Sequence, residues 1–437
     1  MLPLAIAALA VAVEINDGLG HPAAFAALAV ACVAAVIALR RPGSAVSARG
    51  LGIVVGLFGA IPWFNALPSA TATSAGVVAP TWILVAWSLG ATAVAVAAFD
   101  RLSPRTALFA AGAACALVGT WVIRAVPVPH IDVWWSQNAG IDLALAGGNP
   151  YTSSFPDLYD DPNGYALGIV REGRVYLGYP YPPVSLLCDM PFRAMFGDIR
   201  WGHLVATLLT GAIIAGRRPD TRSVVCAGAF LLVPRQAFII ESAWMDPWVA
   251  LFGVATMRLL DRPGILKGLV AGLFLASKPS MIPVVGAFLL AGLPTRAFLA
   301  TSAVALLAGA AVILPFRLPD PVAFDLSTWR VVAAMGTHPL SLSFPAPIKA
   351  AFGLDAGAAV GFALAPLAAW WAGRRGARGP AVVAEGFAVG LLLFFSWNKF
   401  AWCNYYATVI ALLAVACAMS EPSPPTDEPK RATGRPA

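Results

Sequence analysis

Pro127-Val128-Pro129-His130-Ile131-Asp132-Val133-Trp134-Trp135 follows directly on an apolar run that ends near Ile123. The polar, acidic and aromatic stretch it opens continues to Gly178-Tyr179-Pro180-Tyr181-Pro182-Pro183. On both sides of that stretch the chain reads as one apolar segment after another. A membrane span needs none of these residues, so the stretch has to work outside the hydrocarbon. Of 437 residues, 59% are hydrophobic and only 12% charged, a composition outside the range of soluble globular proteins. The predicted fold is all-α: a polytopic membrane helix bundle of about 12 to 14 spans, with a large outer loop carrying short interfacial helices.

Apolar segments of spanning length lie near residues 2–16, 23–39, 50–67, 78–99, 106–123, 201–216, 223–240, 246–260, 297–315, 350–372, 381–397 and 402–419. A further apolar stretch, 265–293, is broken by Ser277-Lys278-Pro279-Ser280, where proline removes a backbone donor and disfavours helix before it. Two short helices or a re-entrant hairpin fit it better than one straight span. Residues 182–196 read as a partial helix lying in the interface.

Orientation follows from the short loops rich in Arg and Lys. Clusters such as Arg40-Arg41, Arg217-Arg218 and Arg374-Arg375 fall on one side, which is expected to be the cytoplasm together with the amino terminus. The chain then divides into N-terminal membrane helices (1–123), an extracytoplasmic loop (124–200), C-terminal membrane helices (201–419) with a second outer loop at 316–347, and a disordered cytoplasmic tail (420–437). The formal charge of +7 is dispersed in these clusters, so it reports membrane orientation and not a nucleic-acid partner. The six cysteines show no C-x-x-C pair and read as small buried hydrophobes. No Asp, Glu or His cluster has metal-ligand spacing, and a metal- and cofactor-independent reaction is expected.

Asp132 stands where a span meets the outer face. A carboxylate at that depth is either an interfacial charge beside an aromatic belt or a positioned general base. The order of this Asp, then Asp142-Leu143-Ala144-Leu145-Ala146-Gly147-Gly148-Asn149-Pro150-Tyr151, then Tyr179-Pro180-Tyr181-Pro182-Pro183, resembles the polyprenyl-phosphate-sugar-dependent membrane glycosyltransferases of the GT-C superfamily. Within it, the likeness is to bacterial mannosyltransferases typified by the phosphatidylinositol mannoside alpha-1,2-mannosyltransferases. The Lys278-Pro279 helix break and Asn398-Lys399-Phe400-Ala401-Trp402-Cys403-Asn404-Tyr405-Tyr406 agree with it, so the resemblance covers about residues 120 to 415. Two features depart from the family: several spans precede Asp132 where one is usual, and Glu241-Ser242-Ala243-Trp244-Met245-Asp246 replaces a Gly-Gln-x-Asn pattern.

The resemblance implies an inverting transfer of a sugar, mannose foremost and arabinofuranose next, from a polyprenyl-phosphate donor to a lipid or glycan acceptor. The setting would be the outer face of a bacterial plasma membrane, with Asp132 as base. A departing lipid phosphate needs fixed cations, for which Lys278, His338, Arg235 and Lys399 are candidates. Each has a plainer reading: Lys278 could snorkel, Arg235 could pair with Glu241, and a loop histidine is commonly just solvated. Trp134, Trp135, Tyr151, Tyr179 and Tyr181 could stack on sugar rings or form an aromatic girdle. Glu241, Asp246 and Asn404 are candidates for acceptor or sugar contacts. A competing class is a transporter or lipid flippase, which would use broken helices at mid-membrane.

Overall fold

A computed structural model describes residues 1–40, 48–64, 78–160, 165–262, 264–281, 295–355, 358–373 and 379–420. Among them the chain forms α1 (Leu2–Glu14), α2 (Pro22–Arg40), α3 (Ala48–Phe58), α4 (Ile61–Phe64), α5 (Thr81–Ala98) and α6 (Pro104–Ala125). The 124–200 segment contributes α7 (Asp132–Leu145) and α8 (Pro183–Phe196). Next come α9 (Arg200–Ala215), α10 (Thr221–Leu231), α11 (Arg235–Glu241), α12 (Asp246–Leu259), α13 (Leu266–Ser277) and α14 (Thr295–Arg317). The chain finishes with α15 (Pro321–Asp325), α16 (Val331–Ala334), α17 (Pro345–Phe352), α18 (Ala359–Gly373), α19 (Pro380–Ser396) and α20 (Cys403–Met419).

Every apolar segment predicted from the sequence contains helix among its described residues, and the protein is an all-α, polytopic membrane helix bundle. Helices α2, α5, α6 and α14 are long and apolar enough to cross a membrane singly; α10 and α11 qualify together, bent by 53°. The sequence reads 223–240 as one span. Pro234 lacks the backbone donor a continuous helix requires at that point, so the helix stops after Leu231 and restarts at Arg235. The expected span 350–372 is likewise divided, because Gly353 in the left-handed region (φ 67°) ends α17. At Lys278 the backbone turns extended, ending α13 where the Ser-Lys-Pro run predicts it. The second half of that broken stretch, the basic residues Arg374, Arg375 and Arg378, and the tail from 421 onward lie outside the described residues.

Helix starts follow local chemistry. The Ser103 hydroxyl accepts from the Thr106 N–H and Pro104 opens α6, while Asp220 and Ser223 form a reciprocal cap on α10. The core is centred on α20, buried along almost its whole length and packed by α1, α10, α12 and α19. All six cysteines are free, and all but Cys188 are buried.

In the 124–200 loop α7 packs against α8, and Arg193 grips Asp142 with two bonds of 2.7 Å. A small antiparallel sheet in the order β1 (Phe155–Pro156), β3 (Arg174–Val175), β2 (Val170–Arg171) covers one side of α7. Strands of two residues are too short to show an alternating pattern, so nothing in the sequence announced them.

Arg200 joins this loop to the bundle. It is fully buried, held by Asp198 at 2.6 Å, and donates to the carbonyls of Val126 (2.7 Å), Ile123 (3.2 Å), Pro127 (3.3 Å) and Glu241 (3.4 Å). Ile123 lies in the last turn of α6, Val126 and Pro127 in the chain that leaves it, and Glu241 closes α11. One guanidinium thus fixes the segments that lead into Asp132 and into Asp246. Arg200→Leu strands a carboxylate and several buried carbonyls, so it is expected to cost about 3–5 kcal/mol. A lowered thermal unfolding midpoint in detergent checks this; an unchanged midpoint contradicts it.

Candidate active site

Asp132 begins α7, in its first turn, where a carboxylate is favoured by the exposed N–H groups. Its Oδ1 accepts from the Val133 N–H at 2.8 Å, and the Tyr165 hydroxyl donates to Oδ2 at 2.5 Å. The Tyr159 hydroxyl lies 3.4 Å from Oδ1 and accepts from the Asp132 N–H at 3.3 Å. Burial raises the Asp132 pKa, and the bonds from Tyr165, Val133 and Tyr159 oppose that rise without cancelling it. A carboxylate poised above its ordinary range is a competent proton acceptor near neutrality.

A second polar cluster is assembled by α12, α13 and α20. Lys278, at the break after α13, donates to Asp246 Oδ1 at 2.9 Å and Oδ2 at 3.1 Å, and both side chains are almost completely buried. Asn404, in the first turn of α20, donates to Asp246 Oδ2 at 2.6 Å, leaving its own Oδ1 buried without a partner among the described residues. The Lys278 ammonium lies 3.8 Å from the Tyr405 ring centroid and 6.0 Å from that of Tyr181. Ion pairs at such depth persist only with this degree of mutual satisfaction.

Tyr181 connects the two halves. Its hydroxyl pKa is driven well up, first by burial and then by Tyr405, Asp246 and Asp132, so both carboxylates act on one phenol. The segment carrying it is held firmly. Gly178 adopts φ 74°, a conformation in which a side chain would collide with the Tyr151 carbonyl, and Ser327 donates to the carbonyls of Leu177 and Tyr151. The Tyr151 hydroxyl in turn donates to the Tyr181 carbonyl at 3.0 Å.

The turn between α11 and α12 is also constrained. Ala243 sits at φ 55°, rare for a residue with a side chain, and its carbonyl accepts from Gln137 Nε2 at 2.5 Å. Gln137 Oε1 and Ser242 Oγ are buried without partners among the described residues. Polar atoms left in this state beside a carboxylate and an ammonium mark a place where a polar ligand or water belongs.

Several candidates from the sequence are redirected. Tyr151 and Tyr179 are core residues: Tyr179 is fully buried with its hydroxyl 2.7 Å from Ser185 Oγ, and Tyr151 packs on Phe324 and Phe316. Neither has a ring face open to a sugar. Trp134 and Trp135 meet edge to face at 5.2 Å and pack into different apolar clusters, so they do not form one stacking surface. The Arg235 ion pairs run to Glu14 (3.4 Å) and Asp17 (3.0 Å), at the end of α1 and in the turn after it. Glu241 is fully buried at the end of α11.

His338 and Lys399 are brought together on a neighbouring pair of loops. The Lys399 carbonyl accepts from the His338 N–H at 3.0 Å, and the Lys399 ammonium donates to the carbonyls of Ala333 (2.9 Å) and Met335 (2.8 Å), closing the end of α16. The His338 ring stands edge-on to Trp402 at 4.8 Å, with Nδ1 accepting from the Leu340 N–H. Burial lowers the pKa of both groups, so His338 is neutral at neutral pH. These loops brace the start of α20, which carries Asn404 and Tyr405.

Residues that the sequence reading did not single out are Tyr159, Tyr165, Gln137, Tyr405 and Arg200. Gln137-Asn138, two amides in the middle of a short helix, were the available signal for the first half of the site. Tyr405 follows directly on Asn404.

No family model matches the chain, and no curated protein matches it. A solved structure, the crystal structure of ArnT from Cupriavidus metallidurans bound to undecaprenyl phosphate, is similar to this chain at 14% identity with a TM-score of 0.45. The similarity covers 70% of this chain and 58% of that one, so the chain spans less than two thirds of the protein it matches. An identity that low carries no residue of a site from one chain to the other.

Proposed function

We propose that this protein is a membrane glycosyltransferase of the GT-C type. It transfers a sugar from a polyprenyl-phosphate donor to a hydroxyl of a lipid or glycan acceptor on the outer face of the plasma membrane, with inversion at the anomeric carbon. Mannose is the foremost sugar. The reading is carried by two anchored charges around Tyr181: the buried Lys278 ammonium 6.0 Å from its ring, and the Asp132 carboxylate, whose charge acts on its hydroxyl. Transfer from a phosphate-linked donor requires that pairing: one group to take the acceptor proton, another to hold the charge of the departing phosphate.

In this mechanism the acceptor oxygen attacks the anomeric carbon while its proton passes to Asp132. The bond from that carbon to the phosphate oxygen breaks, its electron pair leaving with the polyprenyl phosphate. Asp246 and Asn404 keep Lys278 charged and aimed, so a third N–H of the ammonium is available to the phosphate. The Tyr405 and Tyr181 rings lie 3.8 and 6.0 Å from the Lys278 ammonium. An inverting displacement of this kind needs base and phosphate site on opposite sides of the sugar, and the anchoring of Asp132 and Lys278 in separate clusters supports that reading.

Turnover of polyprenyl-phosphate mannose and polyprenyl-phosphate arabinofuranose by the purified protein, side by side, tests the sugar. Faster transfer from the mannosyl donor is expected. Preference for arabinofuranose overturns the sugar assignment, and turnover of neither overturns the reading as a whole.

A further inference from the structure

Among the described residues three donors meet the Asp132 carboxylate, two on Oδ1 and one on Oδ2. Oδ1 accepts from a backbone N–H, which cannot leave without unwinding the start of α7, and from the longer contact of Tyr159. Oδ2 accepts from the Tyr165 hydroxyl at 2.5 Å, the shortest contact the carboxylate makes among the described residues. A base in sugar transfer must receive a hydroxyl at hydrogen-bond distance on one of these oxygens. We propose that the Tyr165 hydroxyl occupies the seat of the acceptor's attacking hydroxyl on Asp132 Oδ2, and thereby keeps water off the base until the acceptor displaces it. This inference rests on the glycosyl-transfer reading above.

The surroundings of Tyr165 suit a displaceable occupant. It is half-buried, packed edge-on to Phe155 at the rim of the small apolar cluster under the sheet, and anchored by no other side-chain hydrogen bond among the described residues. Burial and the adjacent charge of Asp132 raise its own pKa, so it stays a protonated donor, the form that imitates an alcohol. Other groups facing the pair are Tyr159, with His130 edge-on to it at 6.1 Å, Asp157 acting on Tyr165, and Tyr181 on the far side.

Excluding water has a chemical purpose. If water took the same seat, its oxygen would attack the anomeric carbon, its proton would pass to Asp132, and the donor would be spent as free sugar and polyprenyl phosphate. A hydroxyl donated by the protein blocks that reaction, and the acceptor replaces it with one of its own. Tyr165 would then set the specificity for acceptor over water.

The test compares full-length wild type, Tyr165→Phe and Tyr176→Phe, each confirmed folded by its thermal midpoint, using radiolabelled polyprenyl-phosphate mannose with and without a lipid-extract acceptor. Tyr165→Phe is expected to release free sugar several-fold faster than wild type in the absence of acceptor, and to show a lower acceptor KM with kcat largely kept. Tyr176→Phe, at a half-exposed tyrosine of the same loop with no contact to Asp132 among the described residues, is expected to leave hydrolysis at the wild-type level. If Tyr165→Phe transfers sugar but releases no more free sugar than wild type, or loses kcat at unchanged KM, Tyr165 orients the base and the acceptor-seat assignment is overturned. If the wild type consumes no polyprenyl-phosphate sugar even with acceptor present, the glycosyl-transfer reading itself fails and takes this assignment with it.

Discussion

Asp132→Asn is expected to lower transfer by about a hundred- to ten-thousand-fold, the range that a positioned general base contributes. The substitution keeps the shape of the side chain: the amide oxygen can still accept from the Val133 N–H, and the amide nitrogen donates to the Tyr165 hydroxyl oxygen where the carboxylate accepted from it. It removes the capacity to take a proton. Burial makes the charged carboxylate costly at this position, so the neutral amide should leave the thermal midpoint unchanged or slightly higher. A lost rate with a kept midpoint separates chemistry from folding. The same burial fixes the pH dependence. A base works deprotonated, its pKa is raised in the folded protein, and the acid limb of kcat/KM should therefore lie above the ordinary carboxylate range. An acid limb at or below that range contradicts the role of Asp132.

Lys278→Met is expected to be the most damaging single change in the second cluster. It leaves Asp246 buried beside Asn404 with no cation, at a cost of about 3–5 kcal/mol, and it removes the charge assigned to the donor phosphate. Stability and function can be separated by adding Asp246→Asn. The double variant has neither buried charge, so its thermal midpoint should recover most of what the single variant loses. Transfer should remain lost. If the double variant regains both midpoint and transfer, the ion pair is a structural clasp and the donor phosphate is held elsewhere.

The helices were legible because a hydrocarbon core imposes one demand, apolar length, and the sequence states it plainly. The breaks at Lys278 and the site's first carboxylate were legible for related reasons: Pro279 forbids a regular helix before it, and Asp132 is a charge where a span ends. The bend at Pro234 carried the same signal, diluted by the apolar residues around it. What failed was partner assignment. Arg235 and Glu241 are neighbours along the chain and invited a local pair, yet the carboxylates that hold Arg235 are Glu14 and Asp17, more than 200 residues away. Those partners give the N-terminal helices a physical role, since they pin α11 beside the start of α20.

Aromatic residues were ambiguous in a different way. A tyrosine that stacks on a ligand and one that fills a loop core are the same residue in a list of letters, and only the packing of Tyr151 and Tyr179 against Phe324 and Ser185 separates them. Tyr159 and Tyr165 could not be tied to Asp132 from sequence either, because the contact depends on a turn of chain with no regular pattern. Asn404 and Asp246 were singled out for acceptor or sugar contacts and Lys278 for the phosphate; that Asp246 accepts from both Lys278 and Asn404 was not legible.

The central claim is that the protein cleaves a polyprenyl-phosphate sugar and moves the sugar to a hydroxyl. It is tested most directly by giving purified wild-type protein, reconstituted in vesicles, a radiolabelled polyprenyl-phosphate mannose of known anomeric configuration together with a lipid-extract acceptor, and identifying where the label goes. The account predicts label on the acceptor, in a linkage of opposite anomeric configuration, with release of polyprenyl phosphate. Label that stays on an intact polyprenyl-phosphate sugar, whether or not that lipid crosses the bilayer, would contradict it.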